Sequence, residues 1–585
     1  MPSPAGFRRT SRPGFWLSSG FWRGRAWSLI LLPALVLLLA LGRYKAFAID
    51  EFLFLHWGAE AAQGRYAGAD YFAIHFSLLQ VVLAPLFRVL DPSSAAPLLA
   101  ARALALALFL SAIAAALALV AGRRRRLLGA TLLLSTNVLL LSAVEVRPDL
   151  LSLSLLCGGV TLFLRTTGRL PALAAGLLFG GAILSSEKAL LHGLAFAATV
   201  AFGLWRARRM EGARPELRRV LLAAAAVVAV LGVAAGLLYA ADGLHHFRLW
   251  LEVARLHETV YPTARFAGLK ELGRVLAGAP LLLLAPIGAW HLARRARREN
   301  RGPQALCDVF VVAAALAGLL SVLIQRAPYS YSSMPLLLFG TLLAVEALAL
   351  LYATLRRRLP RAARRRAAVV ACGLLALFLL GEFRQTVQEI SSPEQTRQLA
   401  ALATLFQLTA PADCVYDNSA FAYSRRHVDD FFLITDAMMR MALRRELAER
   451  IPAAIRERQC TVFKDDFRTH QLPRSLQKFL ASHYVRIAPD VFLWGQSYAA
   501  GSARVRFEAI AEGEHYLWPE SARFSTGGRT VTLPRGESTL EVVAPGGFSI
   551  LWLPRDGRAY PPLAEAPGDG FFSSRASDSS GTGSR

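Results

Sequence analysis

Cysteine is nearly missing from this chain, with five in 585 residues. Cys157, Cys307 and Cys372 lie in or beside apolar segments, where a thiol serves as packing. So few thiols exclude a disulfide-stapled scaffold. Only Cys414 and Cys460 stand in polar sequence, each opening a strand-like run (CVYDN and CTVFKDD). Neither has metal-site spacing, but the two could bond to each other in an oxidising compartment. Acidic residues are also scarce, 41 against 66 Lys plus Arg, for a net charge of +25. That excess does not point to nucleic acid, because no soluble basic domain holds it. The arginines come in short runs at 123–126, 206–219, 294–301 and 356–366, between apolar segments. Cytoplasmic loops facing anionic lipid look like this. An internal repeat is lacking too.

Apolar sequence is what the chain has in abundance. It is 54% hydrophobic with a mean hydropathy of +0.39, against roughly 45–50% apolar usage in soluble domains. Long runs carry the excess, so the fold class is a polytopic α-helical membrane protein. Apolar spans fit near 27–43, 97–121, 127–144, 150–164, 170–185, 189–205, 220–241, 275–292, 306–325, 333–354 and 367–382, which makes eleven. With the basic N-terminus (1–26) inside, the loops 122–126, 165–169, 206–219, 293–305 and 355–366 also fall inside, and each is basic. This alternation requires that Phe76 to Leu90 not cross. The stretch is short and contains Pro85 and Arg88, so it reads as a juxtamembrane or re-entrant helix within a first outer loop, 44–96. Ala46-Phe47-Ala48 resembles a cleavage site, but Arg43 and Lys45 argue for a retained span.

The character changes near residue 386. Residues 386–500 read as a small α/β unit, 501–563 as a compact β-rich region, and the Gly/Ser/Asp-rich end, 564–585, as disordered. By parity this C-terminal part is extracytoplasmic. The expected setting is the inner (plasma) membrane, crossed many times, with the N-terminus cytoplasmic.

Chemistry is expected where ionisable residues gather at the outer ends of the spans. Asp50-Glu51 follows the first span, where an acidic pair is costly unless something uses it. Adjacent helical side chains point about 100° apart, so one acid can face a pocket while the other caps the helix or pairs with a base. Asp70 and His75 follow in the same loop. Glu145-Val146-Arg147-Pro148-Asp149 ends the third span, Ser185-Ser186-Glu187-Lys188 the fifth, and Gln325-Arg326-Ala327-Pro328-Tyr329-Ser330-Tyr331 the ninth.

These motifs resemble polyprenyl-phosphate-sugar-dependent glycosyltransferases of the GT-C fold, the protein O-mannosyltransferase and aminoarabinose-transferase type. Carrying the resemblance are Asp50-Glu51, the pattern Gly64…Tyr66…Asp70-Tyr71-Phe72…His75…Leu78, Arg102, Arg147-Pro148-Asp149, Lys188 and Tyr331…Pro335. It covers roughly 27–382, and Phe76-Ser77 stands where the family usually has Pro. It implies transfer of a sugar from a polyprenyl phosphate to an acceptor hydroxyl on a glycan, lipid or protein. Asp50 and Glu51 are the catalytic candidates, with Asp50 as general base. His75, Arg147, Lys188, Arg326 and Tyr331 are the candidates for holding the donor phosphate. Asp70 and Asp149 could form a second acidic site with Asp50 for a divalent ion. No cofactor is demanded, and neither a nucleotide site nor a nucleic-acid partner is expected. The leading rival is a transporter or flippase, for which Glu346, inside an apolar run, is the best evidence.

Overall fold

The structure is a computed structural model of the 585-residue chain. It describes residues 20–66, 70, 78–208, 213–242, 244–245, 248, 251, 267–298, 303–325, 330–428, 443–501 and 503–563. The disordered tail expected at 564–585 and most of the basic N-terminus lie outside the described residues.

Helix α1 (Gly20–Tyr44) turns by 72° into α2 (Ile49–Ala62). On α2 lies α3 (Leu78–Val89), the stretch expected not to cross. Twelve residues of helix reach about 18 Å, well short of a bilayer core. The two helices meet closely at Gly58, where a Cβ would stand 2.7 Å from that of Leu83.

The bundle continues through α4 (Ala96–Ala118), α5 (Arg123–Leu133), α6 (Asn137–Ala143), α7 (Pro148–Arg165), α8 (Arg169–Ser185), α9 (Ala189–Arg208) and α10 (Ala213–Asp242). After it come α11 (Ala267–Gly278), α12 (Ala285–Arg298), α13 (Pro303–Ile324), α14 (Met334–Arg358) and α15 (Arg361–Ile390). Phe109, Leu140, Phe163, Phe179, Phe310 and Phe339 lie in its core. Among the described residues, six helices are long and apolar enough to cross a membrane, or up to nine if three bent pairs each count once.

Two expected spans are bent rather than straight. The one at 127–144 divides into α5 and α6, 77° apart, at Ser135-Thr136-Asn137, residue types that compete with helix for backbone hydrogen bonds. The Asn137 N–H is taken instead by the Glu382 carboxylate of α15. The one at 275–292 breaks by 103° between α11 and α12, where a short 3-10 turn begins at Pro280, which has no N–H to continue a helix.

Charged side chains pair at both ends of the bundle. At one end Arg165 donates to Leu119 O and Gln304, while Arg295 pairs with Asp308 at 2.5 Å. Arg125 and Arg295 both reach Glu346, at 3.2 and 3.5 Å. The carboxylate that favoured a transporter is thus held between two guanidiniums. Arg147 stands at the other end of α7, about 27 Å away along an 18-residue helix.

Beyond α15, helix α16 (Glu394–Leu408) leads into the C-terminal region. Here an eight-stranded sheet runs β2 (Arg426–His427), β1 (Cys414–Tyr416), β3 (Val462–Lys464), β5 (Val491–Tyr498), β11 (Phe548–Trp552), β7 (Gly513–Trp518), β9 (Thr530–Leu533), with β4 (Tyr484–Ala488) also on β5. β1 pairs in parallel with β2 and β3, and the rest of the sheet is antiparallel. A smaller sheet orders β6 (Arg504–Ala509), β10 (Gly536–Val543) and β8 (Arg523–Phe524). The boundary expected near 501 does not separate the sheets, because β11 bridges β5 and β7 across it. Cys414 and Cys460 are disulfide-bonded, with Cα atoms 4.5 Å apart, tying the start of β1 to the segment entering β3.

Candidate functional site

The elbow between α1 and α2 is fixed by Glu51. Its Oε1 accepts the Ala48 N–H at 2.8 Å, capping α2, and its Oε2 accepts the Val146 N–H at 3.3 Å. Arg102 of α4 grips the same carboxylate at two points, Nε to Oε2 at 2.9 Å and Nη2 to Oε1 at 2.7 Å. Its remaining N–H groups donate to the carbonyls of Lys45 at 2.7 Å and Ala46 at 2.9 Å. Both side chains are fully buried. Glu51, a catalytic candidate by sequence, has no free edge for a substrate.

One residue earlier, about 100° around the helix, Asp50 points elsewhere. Its side chain is 33% exposed, and Oδ2 accepts from Arg147 Nη2 at 2.8 Å. Arg147 caps the N-terminus of α7, ahead of Pro148 at the first helical position. Its guanidinium lies 3.3 Å from the centroid of the Tyr331 ring. Nη1 reaches Glu145 Oε2 at 3.4 Å, while Lys45 Nζ holds the other oxygen of Glu145 at 2.5 Å. Arg147 Nε is buried with no hydrogen-bond partner among the described residues. Burial works against the charge of Arg147, but Asp50, Tyr331 and Glu145 outweigh it and raise its pKa, so it stays cationic. Burial likewise opposes ionisation of Glu145, and Lys45 and Arg147 overcome it, holding that carboxyl below its usual range.

Tyr331 carries a second cation. Lys188, in the α8–α9 turn, places Nζ 4.7 Å from the same ring centroid and donates to Asp149 Oδ1 at 3.1 Å and Ser332 Oγ at 3.3 Å. Ser186 Oγ also donates to Asp149, at 3.1 Å. A cavity opens beside this group, and Asp149, Ser152, Lys188, His192, Tyr331 and Ser332 are among its lining residues. His192 Nδ1 lies 3.4 Å from Lys188 O, and its buried Nε2 has no partner among the described residues.

The structure therefore gathers Asp50, Arg147, Asp149, Lys188 and Tyr331 at one end of the bundle. Asp70 is exposed, and its Oδ2 accepts the Tyr66 N–H at 2.7 Å. His75 and Arg326 lie outside the described residues. Among the described residues no three His, Cys, Asp or Glu form a group that could hold a metal ion. Sequence reasoning named Glu145 and Ser186 only as members of the outer-end runs, without a role, and left Lys45, His192 and Ser332 out of the site. The Lys45–Glu145 pair spans 100 residues.

The C-terminal region holds the elbow from above. Gln398 of α16 accepts the Phe47 N–H at 2.7 Å and donates to Phe47 O at 3.0 Å. His56 Nδ1 of α2 lies 2.9 Å from Tyr423 O.

No family model matches the chain, and no curated protein matches it. Solved structures do. ArnT from Cupriavidus metallidurans bound to undecaprenyl phosphate is 16% identical, with a TM-score of 0.48, over 69% of this chain and 85% of that one. The same protein in its apo state is 14% identical, with a TM-score of 0.47, over 80% and 98%. The oligosaccharyltransferase AglB from Archaeoglobus fulgidus, in complex with an inhibitory peptide and a dolichol-phosphate, is 10% identical, with a TM-score of 0.48, over 81% and 74%.

Proposed function

We propose that this protein is a membrane glycosyltransferase that moves a sugar from a polyprenyl-phosphate donor to an acceptor hydroxyl on a glycan, lipid or protein outside the cytoplasm. The observation that carries the reading is the layer Asp50–Arg147–Tyr331–Lys188, in which Asp50 pairs with Arg147, and Arg147 and Lys188 both lie on the Tyr331 ring.

Each member has a role in that chemistry. Asp50 is the general base that takes the acceptor hydroxyl proton as the oxygen bonds to the anomeric carbon. The bond from that carbon to the phosphate oxygen breaks, and polyprenyl phosphate leaves with its electron pair. Negative charge grows on the phosphate as it leaves, so Arg147 and Lys188 gain strength in the transition state. Tyr331 holds both cations in place and donates a hydrogen bond. Serines and His192 in the adjoining cavity offer partners to sugar hydroxyls. Glu51 and Arg102 position Asp50 without touching substrate. His75 and Arg326 complete the proposed phosphate set from segments outside the described residues. Direct displacement inverts the anomeric configuration. The C-terminal region then lies outside the membrane with the site, and the arginine-rich turns lie inside.

The test is mass spectrometry of envelope glycans and glycoproteins from cells carrying the intact protein, no protein, or Asp50→Asn. A glycan present only with the intact protein supports the reading; Asp50→Asn protein that still transfers removes Asp50 as base.

A further inference from the structure

Building on that reading, we infer that Asp50 is held out of use until donor phosphate displaces it from Arg147, and that Lys45 makes the displacement possible by keeping Glu145 from taking the vacated place. Asp50 Oδ2 accepts from Arg147 Nη2 at 2.8 Å, so one lone pair of that oxygen is engaged by the guanidinium. The contact also turns the carboxylate towards the guanidinium and engages part of its negative charge, so Asp50 is aimed at Arg147 and not at an acceptor hydroxyl. An arriving phosphate brings at least one full negative charge and several acceptor oxygens, and it competes for the same guanidinium. Asp50 is the partner free to move, since its side chain is one-third exposed, whereas that of Arg147 is 6% exposed and lies on Tyr331. The Nε of Arg147, buried without a hydrogen-bond partner among the described residues, becomes a second donor for the phosphate once Asp50 has moved aside. Donor binding thus turns the carboxylate loose at the moment an acceptor needs it.

Such an exchange fails if another carboxylate quenches Arg147 first. Glu145 is two residues away and partly buried, and left alone it would take the guanidinium at close range. Lys45 prevents this. It pairs with Glu145 at 2.5 Å, leaving Glu145 only a 3.4 Å contact with Arg147. The carbonyl of Lys45 is gripped by Arg102, so the Glu51–Arg102 lock that shapes the elbow also places this lysine. Lys45 is a positioning residue that acts through Glu145.

The experiment measures binding of bare undecaprenyl phosphate to the purified full-length protein in phosphatidylcholine nanodiscs. Arg147→Met tests the underlying reading and should weaken binding by about tenfold or more; unchanged binding removes the phosphate site itself. Asp50→Asn removes the competitor and should tighten binding by about tenfold, even though it slows transfer. Equal or weaker binding by Asp50→Asn, with Arg147→Met weakened, overturns the exchange while leaving the phosphate site standing. Lys45→Met should weaken binding several-fold, and adding Glu145→Gln should restore it. A purely structural lysine would show no such rescue, so a double variant as weak as Lys45→Met overturns its assignment. Should Lys45→Met fail to fold, the comparison runs between Glu145→Gln, expected at or above wild-type affinity, and the folded double variant.

Discussion

Glu51 and Arg102, 51 residues apart in sequence, form a two-point ion pair with neither side chain reaching solvent. Arg102 donates to Glu51 and to the carbonyls of Gly42, Lys45 and Ala46 at the α1–α2 elbow, and its guanidinium lies 3.9 Å from the centroid of Phe47. The pair makes the elbow rigid, and rigidity at the elbow sets where Asp50 points.

Removing one partner strands a buried charge. Arg102→Met should therefore cost about 3–5 kcal/mol, read as a lower Tm of the detergent-purified protein. Restoring the balance with Glu51→Gln in the same chain should recover part of that loss, because the uncompensated carboxylate is gone. An unaltered Tm for Arg102→Met would show that the pair does not hold the elbow.

Asp50→Asn should behave in the opposite way. The side chain is partly exposed, the amide keeps the shape of the acid, and Glu145 still contacts Arg147, so the stability should stay within about 1 kcal/mol of wild type. Transfer should fall by about 10²–10⁴-fold, the usual worth of a general base. Glu51→Gln reverses the pattern, losing stability before rate. Paired melting and transfer assays on the two neighbours check this.

That contrast also shows what the sequence could and could not reveal. An acidic pair after the first apolar run is visible, and helical geometry says that the two acids do different jobs. Which acid faces the site depends on Arg102, 51 residues further along the chain, and on the Val146 N–H, and only folding brings these together. That α3 is a short helix was legible from the brevity of its apolar run and from Pro85 and Arg88 within it. The breaks at 135–137 and 280 were not, because Asn137 and Pro280 sit in runs whose hydropathy is continuous. The sheet crossing residue 501 was hidden for a related reason. Alternation identifies strands, whereas pairing of β11 with both β5 and β7 is a long-range choice.

The Cys414–Cys460 bond closes a loop of 46 residues and lies in the core of the C-terminal region, with both cysteines buried. Opening it should cost about 2–4 kcal/mol. On the proposed topology the bond forms outside the cytoplasm, where thiols oxidise. Thiol alkylation of detergent-denatured membranes, before and after reduction, should label these two cysteines only after reduction. Labelling without reduction would place the domain on the cytoplasmic side and reverse the topology.

A pH response should arise in the C-terminal sheet from His515 of β7. Its ring is fully buried between Phe507 and Trp552, with Nε2 lacking a partner among the described residues. Burial penalises the charged form and pushes its pKa down to about 4, although a backbone contact with Gly513 O opposes the shift. The unfolded chain therefore binds a proton below about 6.5 that the folded chain refuses until about 4. The associated stability is fully present above pH 6.5 and is lost progressively as the pH falls towards 4, reaching about 3 kcal/mol. Carboxylates titrate in the lower part of the same window, so the measurement is a difference. The Tm of wild type should fall more steeply between pH 6.5 and 4 than that of His515→Phe, which offers the same aromatic slot a ring that cannot charge. Parallel Tm profiles for the two would mean that His515 is not the group responsible.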